Sequence, residues 1–243
     1  MPSIVNGTVA WITFRATMGR KRAFLFAIPA VILLLVTIGL KAGGAEPSTW
    51  VAPILGVFGF SVVIPLTALV IGTSVLGAEI DDGSIVHLLA TPVPRSAVVL
   101  TKFAVAAGLT MVFAAVPELL AGLIASGSVS KLAIGVFVGA LVGSVLYNAV
   151  FVLFSVLSTR AIGFGLLYLL VWEGLLGNLV SGARELSIGQ YSLGVADSIA
   201  HDSDLGAHLT LTTAVVAGLI VLVAALTIAA RRLGSFSLKG DAA

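Results

Sequence analysis

The sequence predicts an all-α, polytopic membrane protein with about six transmembrane helices and both termini in the cytoplasm. Three observations carry this reading. Hydrophobic residues make up 59% of the 243 residues and charged residues only 10%, where a soluble domain carries about a quarter charged residues. Six apolar runs, at about 23–40, 51–77, 97–125, 132–158, 162–181 and 209–230, match the roughly 20 helical residues that cross a bilayer core. Between them the basic residues fall mostly on one side. The runs are continuous rather than alternating. Their backbone must satisfy itself in lipid, so they read as helices and not as barrel strands. The whole chain, 1–243, reads as one transmembrane domain.

The basic residues set the orientation. With the N-terminus inside, Arg15, Arg20, Lys21, Arg22, Arg95, Lys102, Arg160, Arg231, Arg232 and Lys239 are cytoplasmic, and only Lys41, Lys131 and Arg184 are outside. That bias is the positive-inside signal. It places the basic charge beside anionic headgroups. It also accounts for the pI near 9.2 without any nucleic-acid partner. There is no cysteine, hence no disulfide framework and no thiolate metal site. His87, His201 and His208 all fall outside the runs, so no metal site is expected. The first run is too long for the h-region of a cleavable signal peptide.

Residues 3–20 place Val5, Val9, Ile12 and Ala16 on one helical face, with Arg15, Arg20 and Trp11 interspersed. This predicts an amphipathic helix on the inner leaflet. Spans 1, 2 and 3 contain Pro29, Pro65 and Pro117, which predict kinks. Span 4 carries Gly135, Gly139 and Gly143, a repeated G-x-x-x-G face that lets another helix approach closely. Tyr147 and Asn148 follow near mid-membrane, where Asn148 is expected to hydrogen-bond across helices or to face the substrate path. Glu173 falls near the middle of span 5 and Glu118 near the outer end of span 3. Such acids are costly in lipid and face the bundle interior. Two readings stand open for Glu173: a pathway group, or a structural bond through Asn178 or Tyr147. For Glu118, beside Pro117, the structural reading is favoured. Residues 182–208 form the longest outer loop. Its apolar residues, Ile188, Tyr191, Leu193, Val195 and Ile199, allow an amphipathic or partly re-entrant helix.

The inner loop between spans 2 and 3, about 78–96, carries the most information. Asp81 or Asp82 can cap a short helix. Ile85, Leu88 and Leu89 then share one small apolar face, and Pro92 and Pro94 end it. Ser96 is positioned to cap span 3, and Arg95 and Lys102 can snorkel to the inner interface. An apolar knuckle in water calls for a cytoplasmic partner.

Glu79, Asp82-Gly83, Ile85, Leu88-Leu89, Pro92, Arg95 and Lys102 resemble the E…D-G-[ST]-[IL]…L-L…P…R…K pattern of ABC-2-type transporter permeases. The basic segment from Arg15 to Arg22 is similar to the one before the first span of that family. So is Trp172-Glu173-Gly174 followed by Arg184, Leu186-Ser187 and Tyr191. The resemblance implies that this loop is a coupling helix seated on a separate ABC ATPase subunit. It further implies a second permease copy or homologue, export as the direction, and the plasma (inner) membrane of a bacterium as the site.

The chain has no G-x-x-x-x-G-K-[ST] phosphate cradle, so any ATP and Mg would bind the partner subunit and this chain would be no enzyme. H-E-x-x-H and G-x-S-x-G are also missing. The rival reading is an ion-coupled secondary transporter using Glu173 and Glu118. Against it, no inverted repeat is visible.

Overall fold

The structure is a computed structural model that describes residues 7–19, 22–81, 94–177, 182, 185–201 and 205–235. Among these residues every regular element is helical. In chain order they are α1 Gly7–Thr17, α2 Arg22–Ala42, α3 Pro47–Val51, α4 Ile64–Asp81 and α5 Arg95–Thr110. There follow α6 Val116–Ser126, α7 Lys131–Leu157, α8 Ala161–Leu167, α9 Ile188–Ala200 and α10 Leu211–Ser235. Three π-helical stretches extend them: Ala52–Val63 joins α3 to α4, Met111–Ala115 joins α5 to α6, and Tyr168–Leu176 continues α8.

Five of the resulting rods are long and apolar enough to cross a bilayer: Phe24–Ala42, Pro47–Gly77, Arg95–Ser126, Lys131–Leu157 and Leu211–Gly234. A shorter apolar helix, Ala161–Leu175, occupies the place of the expected fifth span. The end of that span, 178–181, lies outside the described residues. Pro65 and Pro117 are the second residues of α4 and α6, each directly after a π-helical stretch. A proline ring crowds the carbonyl one turn back and offers no N–H. The wider π turn before it relieves that crowding. Pro29 sits inside α2.

Two local expectations are corrected. α5 begins at Arg95 with Pro94 before it and no side-chain cap, so Ser96 lies inside the first turn rather than capping it. In α1 the buried face is Val9, Thr13 and Thr17. Ile12 and Ala16 are exposed, as is Trp11. The sequence pattern followed apolarity, but α1 packs on α4 and α5 through small threonines that permit close approach. Its larger apolar side chains, Trp11, Ile12 and Phe14, point away from the bundle.

α7 is the axis of the molecule. It packs against α4, α5, α6, α8, α9 and α10. Around it the buried apolar residues form two stacked layers. One gathers Phe26, Ile71, Val75, Leu76, Val98, Val99, Val152, Val156, Ala229 and Leu233, at the end that carries α1, the close of α10 and the stems of the inner loop. The other gathers Leu55, Phe60, Ile64, Leu69, Val136, Ala140, Tyr147, Phe151 and the buried side of α9.

α9 is the main departure from a simple outer loop. Ile188, Gly189, Tyr191 through Ala196 are all buried. The helix runs antiparallel to α7: Ala200 lies by Gly135, Ser192 by Gly143, and Gly189 by the Tyr147 hydroxyl. Its N-terminus therefore reaches past the midpoint of α7, as a helix dipping into the bundle. A helix can do this because it satisfies its own backbone away from water.

Candidate functional site

The site begins with the inner loop. Asp82, Gly83, Ile85, Leu88, Leu89 and Pro92 lie outside the described residues; its stems, α4 and α5, are described. Glu79 and Lys102 join those stems. The Lys102 Nζ lies 2.6 Å from the Glu79 Oε1 and also donates to the Val75 carbonyl at 2.7 Å. Lys102 is fully buried, so it does not snorkel to the interface. Its charge finds a carboxylate and a carbonyl closer than headgroup water, within an apolar layer that closes over its stem. Arg95 donates to the carbonyls of Leu233 and Gly234, the former at 3.2 Å. Those carbonyls close α10, and a cation there meets the negative end of the helix dipole.

The two acids within the apolar helices differ sharply from one another. Glu118 is fully buried, and neither carboxyl oxygen has a hydrogen-bond partner among the described residues. It occupies the notch left by Gly59, where a Cβ would collide with its Oε1. Glu173, at partial exposure, is held by three donors. Its Oε1 accepts from the Tyr168 hydroxyl at 2.9 Å and the Ile188 N–H at 2.9 Å, and its Oε2 accepts from the Ser187 hydroxyl. Ile188 is the first residue of α9, so the carboxylate sits at the positive end of that helix. Asn178, one partner the sequence offered, lies outside the described residues. The bonds found are instead to Tyr168, Ser187 and Ile188. Tyr168 also packs edge-on against Phe151 and Phe154 of α7.

Asn148 is fully buried and donates to the Thr110 hydroxyl at 2.8 Å and to the Ser144 carbonyl at 2.7 Å. It thereby ties α7 to the last residue of α5, directly before a π-helical stretch. Gly135, Gly139 and Gly143 face α9. A Cβ on Gly135 would lie 2.6 Å from the Ala196 carbonyl oxygen, and one on Gly139 2.6 Å from that of Ser192. Among the described residues no group of three or more His, Asp or Glu side chains is placed to hold a metal.

Two anchors of Glu173 were not read as such from the sequence: Tyr168, and Ser187, which entered only as part of the family pattern. Ser187 caps α9, accepting from the Gln190 N–H at 3.2 Å. The S-x-x-Q spacing of Ser187 and Gln190 before an apolar run is a helix-start signal that could have revealed it. Tyr168 lies five residues before Glu173 in the same π-helical stretch, whose i, i+5 period sets both on one face; an α-helical reading of the sequence does not pair them.

The model of the family described as ABC-2 family transporter protein matches residues 19–188, more than half of the chain. The chain belongs to the ABC-2 transporter family. A comparison with curated proteins finds no match. The family match starts just before α2 and ends where α9 begins, so it takes in the inner loop with both stems and the Glu173 anchor. This ABC-2 chain is a multi-pass membrane permease of an ABC transporter, in a family whose members are typically non-enzymatic membrane subunits.

Proposed function

We propose that this permease is the membrane-spanning subunit of a bacterial ABC exporter, working in the plasma membrane with a separate ATPase subunit and a second permease copy or homologue. ATP and Mg bind the ATPase. The loop between α4 and α5 takes up the resulting movement and shifts the path between inward- and outward-open states. The observation that carries this reading is the family match over residues 19–188, which takes in the segment between the two long helices α4 and α5. By its sequence pattern that segment offers Ile85, Leu88 and Leu89 as one apolar face, with Asp82, Gly83 and Pro92 in the family pattern and Glu79 and Arg95 on the described stems. Exposed apolar faces of α2 and α8, including Phe24, Leu35, Phe164 and Leu167, supply surface for lipid and for the second copy.

The test is to express the chain together with a candidate ABC ATPase subunit. Burying a large apolar side chain is worth roughly 1.5–3 kcal/mol. Replacing Leu88 and Leu89 together with Ser is therefore expected to weaken co-purification by at least tenfold while leaving membrane insertion intact. Wild-type co-purification of the double variant would remove the loop from the coupling role. ATP-independent, proton-driven transport blocked by Glu118→Gln would instead support the ion-coupled reading.

A further inference from the structure

The stems of the inner loop are fastened to each other and to α10 by two cations of α5, two helical turns apart. Lys102 grips α4 through the Glu79 carboxylate and the Val75 carbonyl, with its Nζ 2.6 and 2.7 Å away. Arg95 grips the carbonyls that end α10. Around Lys102 lie Val75, Leu76, Val98 and Val99, all buried in one apolar layer with Leu233.

We propose that Lys102 is a positioning residue for coupling, locking α4 and α5 in one register so that a displacement of the loop moves both helices as one body. This rests on the coupling role proposed above for the loop. The physical reason lies in what apolar packing leaves undetermined. Burial of apolar surface is non-directional, and packed helices slide past one another by small shear motions. Helices held by Val, Leu and Ile alone can absorb a push by sliding. An ion pair inside the layer resists the slide, because separating it strands a buried ammonium without its partner. Lys102 makes no contact with solvent. Its role is therefore exerted through Glu79 and Val75 and needs no direct contact with the ATPase.

The experiment uses the full-length chain with its co-purified ATPase in liposomes. Ser128, exposed between α6 and α7, is changed to Cys and its reaction rate with an impermeant maleimide is measured with and without MgATP. Lys102→Met is expected to keep the ATPase bound and hydrolysing, while the MgATP-dependent change in labelling falls by about tenfold. Glu79→Gln, which removes the carboxylate charge and keeps its shape, is expected to lower the response in the same direction, while Lys102→Arg, which can still donate to both acceptors, is expected to keep it within about twofold. If Lys102→Met fails to assemble, Glu79→Gln decides. An assembled Glu79→Gln complex that responds like wild type overturns the clamp, as does a Lys102→Met complex that does so. A wild-type chain that recovers no ATPase, or whose labelling ignores MgATP, sinks the coupling reading and the clamp with it.

Discussion

At the scale of single residues, the two acids that the sequence placed within spans hold different positions. Glu173 is a fastener: it joins the π-helical stretch after α8 to the start of α9 through Tyr168, Ser187 and Ile188. Hydrogen bonds to a charged group are each worth about 1.5–3 kcal/mol. Glu173→Ala is thus expected to cost on the order of 3 kcal/mol, and Ser187→Ala about 1 kcal/mol as the loss of a cap. Thermal unfolding of the purified chain in detergent checks both. Equal melting points for Glu173→Ala and wild type would show that the carboxylate does not anchor α9. Glu118 has the opposite situation, a buried carboxyl with no donor among the described residues. Replacing an unsatisfied buried polar group by an apolar one of similar shape is neutral or stabilising. Glu118→Met is expected to melt no lower than wild type, and a drop of several degrees would reveal a partner for the carboxyl.

At the scale of elements, the glycine face of α7 decides where α9 can go. Gly135, Gly139 and Gly143 bring the α9 backbone against α7, with Ser192 and Ala196 in direct contact. Adding a methyl at Gly139 forces the helices apart, since its Cβ would sit 2.6 Å from a backbone oxygen and 2.7 Å from the Ala196 Cβ. Overpacking of this kind costs about 1–3 kcal/mol. Gly139→Ala is expected to lower the melting point and to raise proteolysis near α9, while Gly163→Ala, where a Cβ meets nothing, leaves both unchanged. Identical behaviour of the two variants would contradict the close approach. The link from Asn148 to Thr110 acts between the same α7 and α5. Hydrogen bonds between membrane helices average about 0.6 kcal/mol, so Thr110→Val is expected to be a mild change in the same assay.

At the scale of the whole molecule, two apolar layers stack along α7, and the chain's basic residues gather at one of them. Positive-inside bias puts that end, with α1, the inner loop and the close of α10, in the cytoplasm. Cysteines introduced at Ser203 and Ser237, both outside the described residues, test this directly. An impermeant reagent applied to intact cells is expected to label Ser203→Cys and spare Ser237→Cys. External labelling of Ser237→Cys would invert the orientation.

Much of the architecture was legible in the sequence because it follows from solvent. A run of apolar residues long enough to span lipid must be a helix wherever it sits, since no other open backbone satisfies itself there. Charge asymmetry, the prolines and the glycine spacing are equally local signals, and the family pattern of the inner loop is written in contiguous residues. What the sequence could not decide was which helix each face would meet. Lys102 reads as a snorkelling cation until α4 supplies Glu79 and Val75 beside it. Val9, Thr13 and Thr17 look less apolar than the face of α1 that stays exposed. Only one donor to Glu173 is local, Tyr168 in the same π-helical stretch; the other two, Ser187 and the first backbone N–H of α9, come from across the following loop. Membrane helices all look alike to lipid, so their partners are chosen by side-chain shape and by the few polar groups that must find one another. That choice is made between segments distant in the chain, and only the folded bundle reveals it.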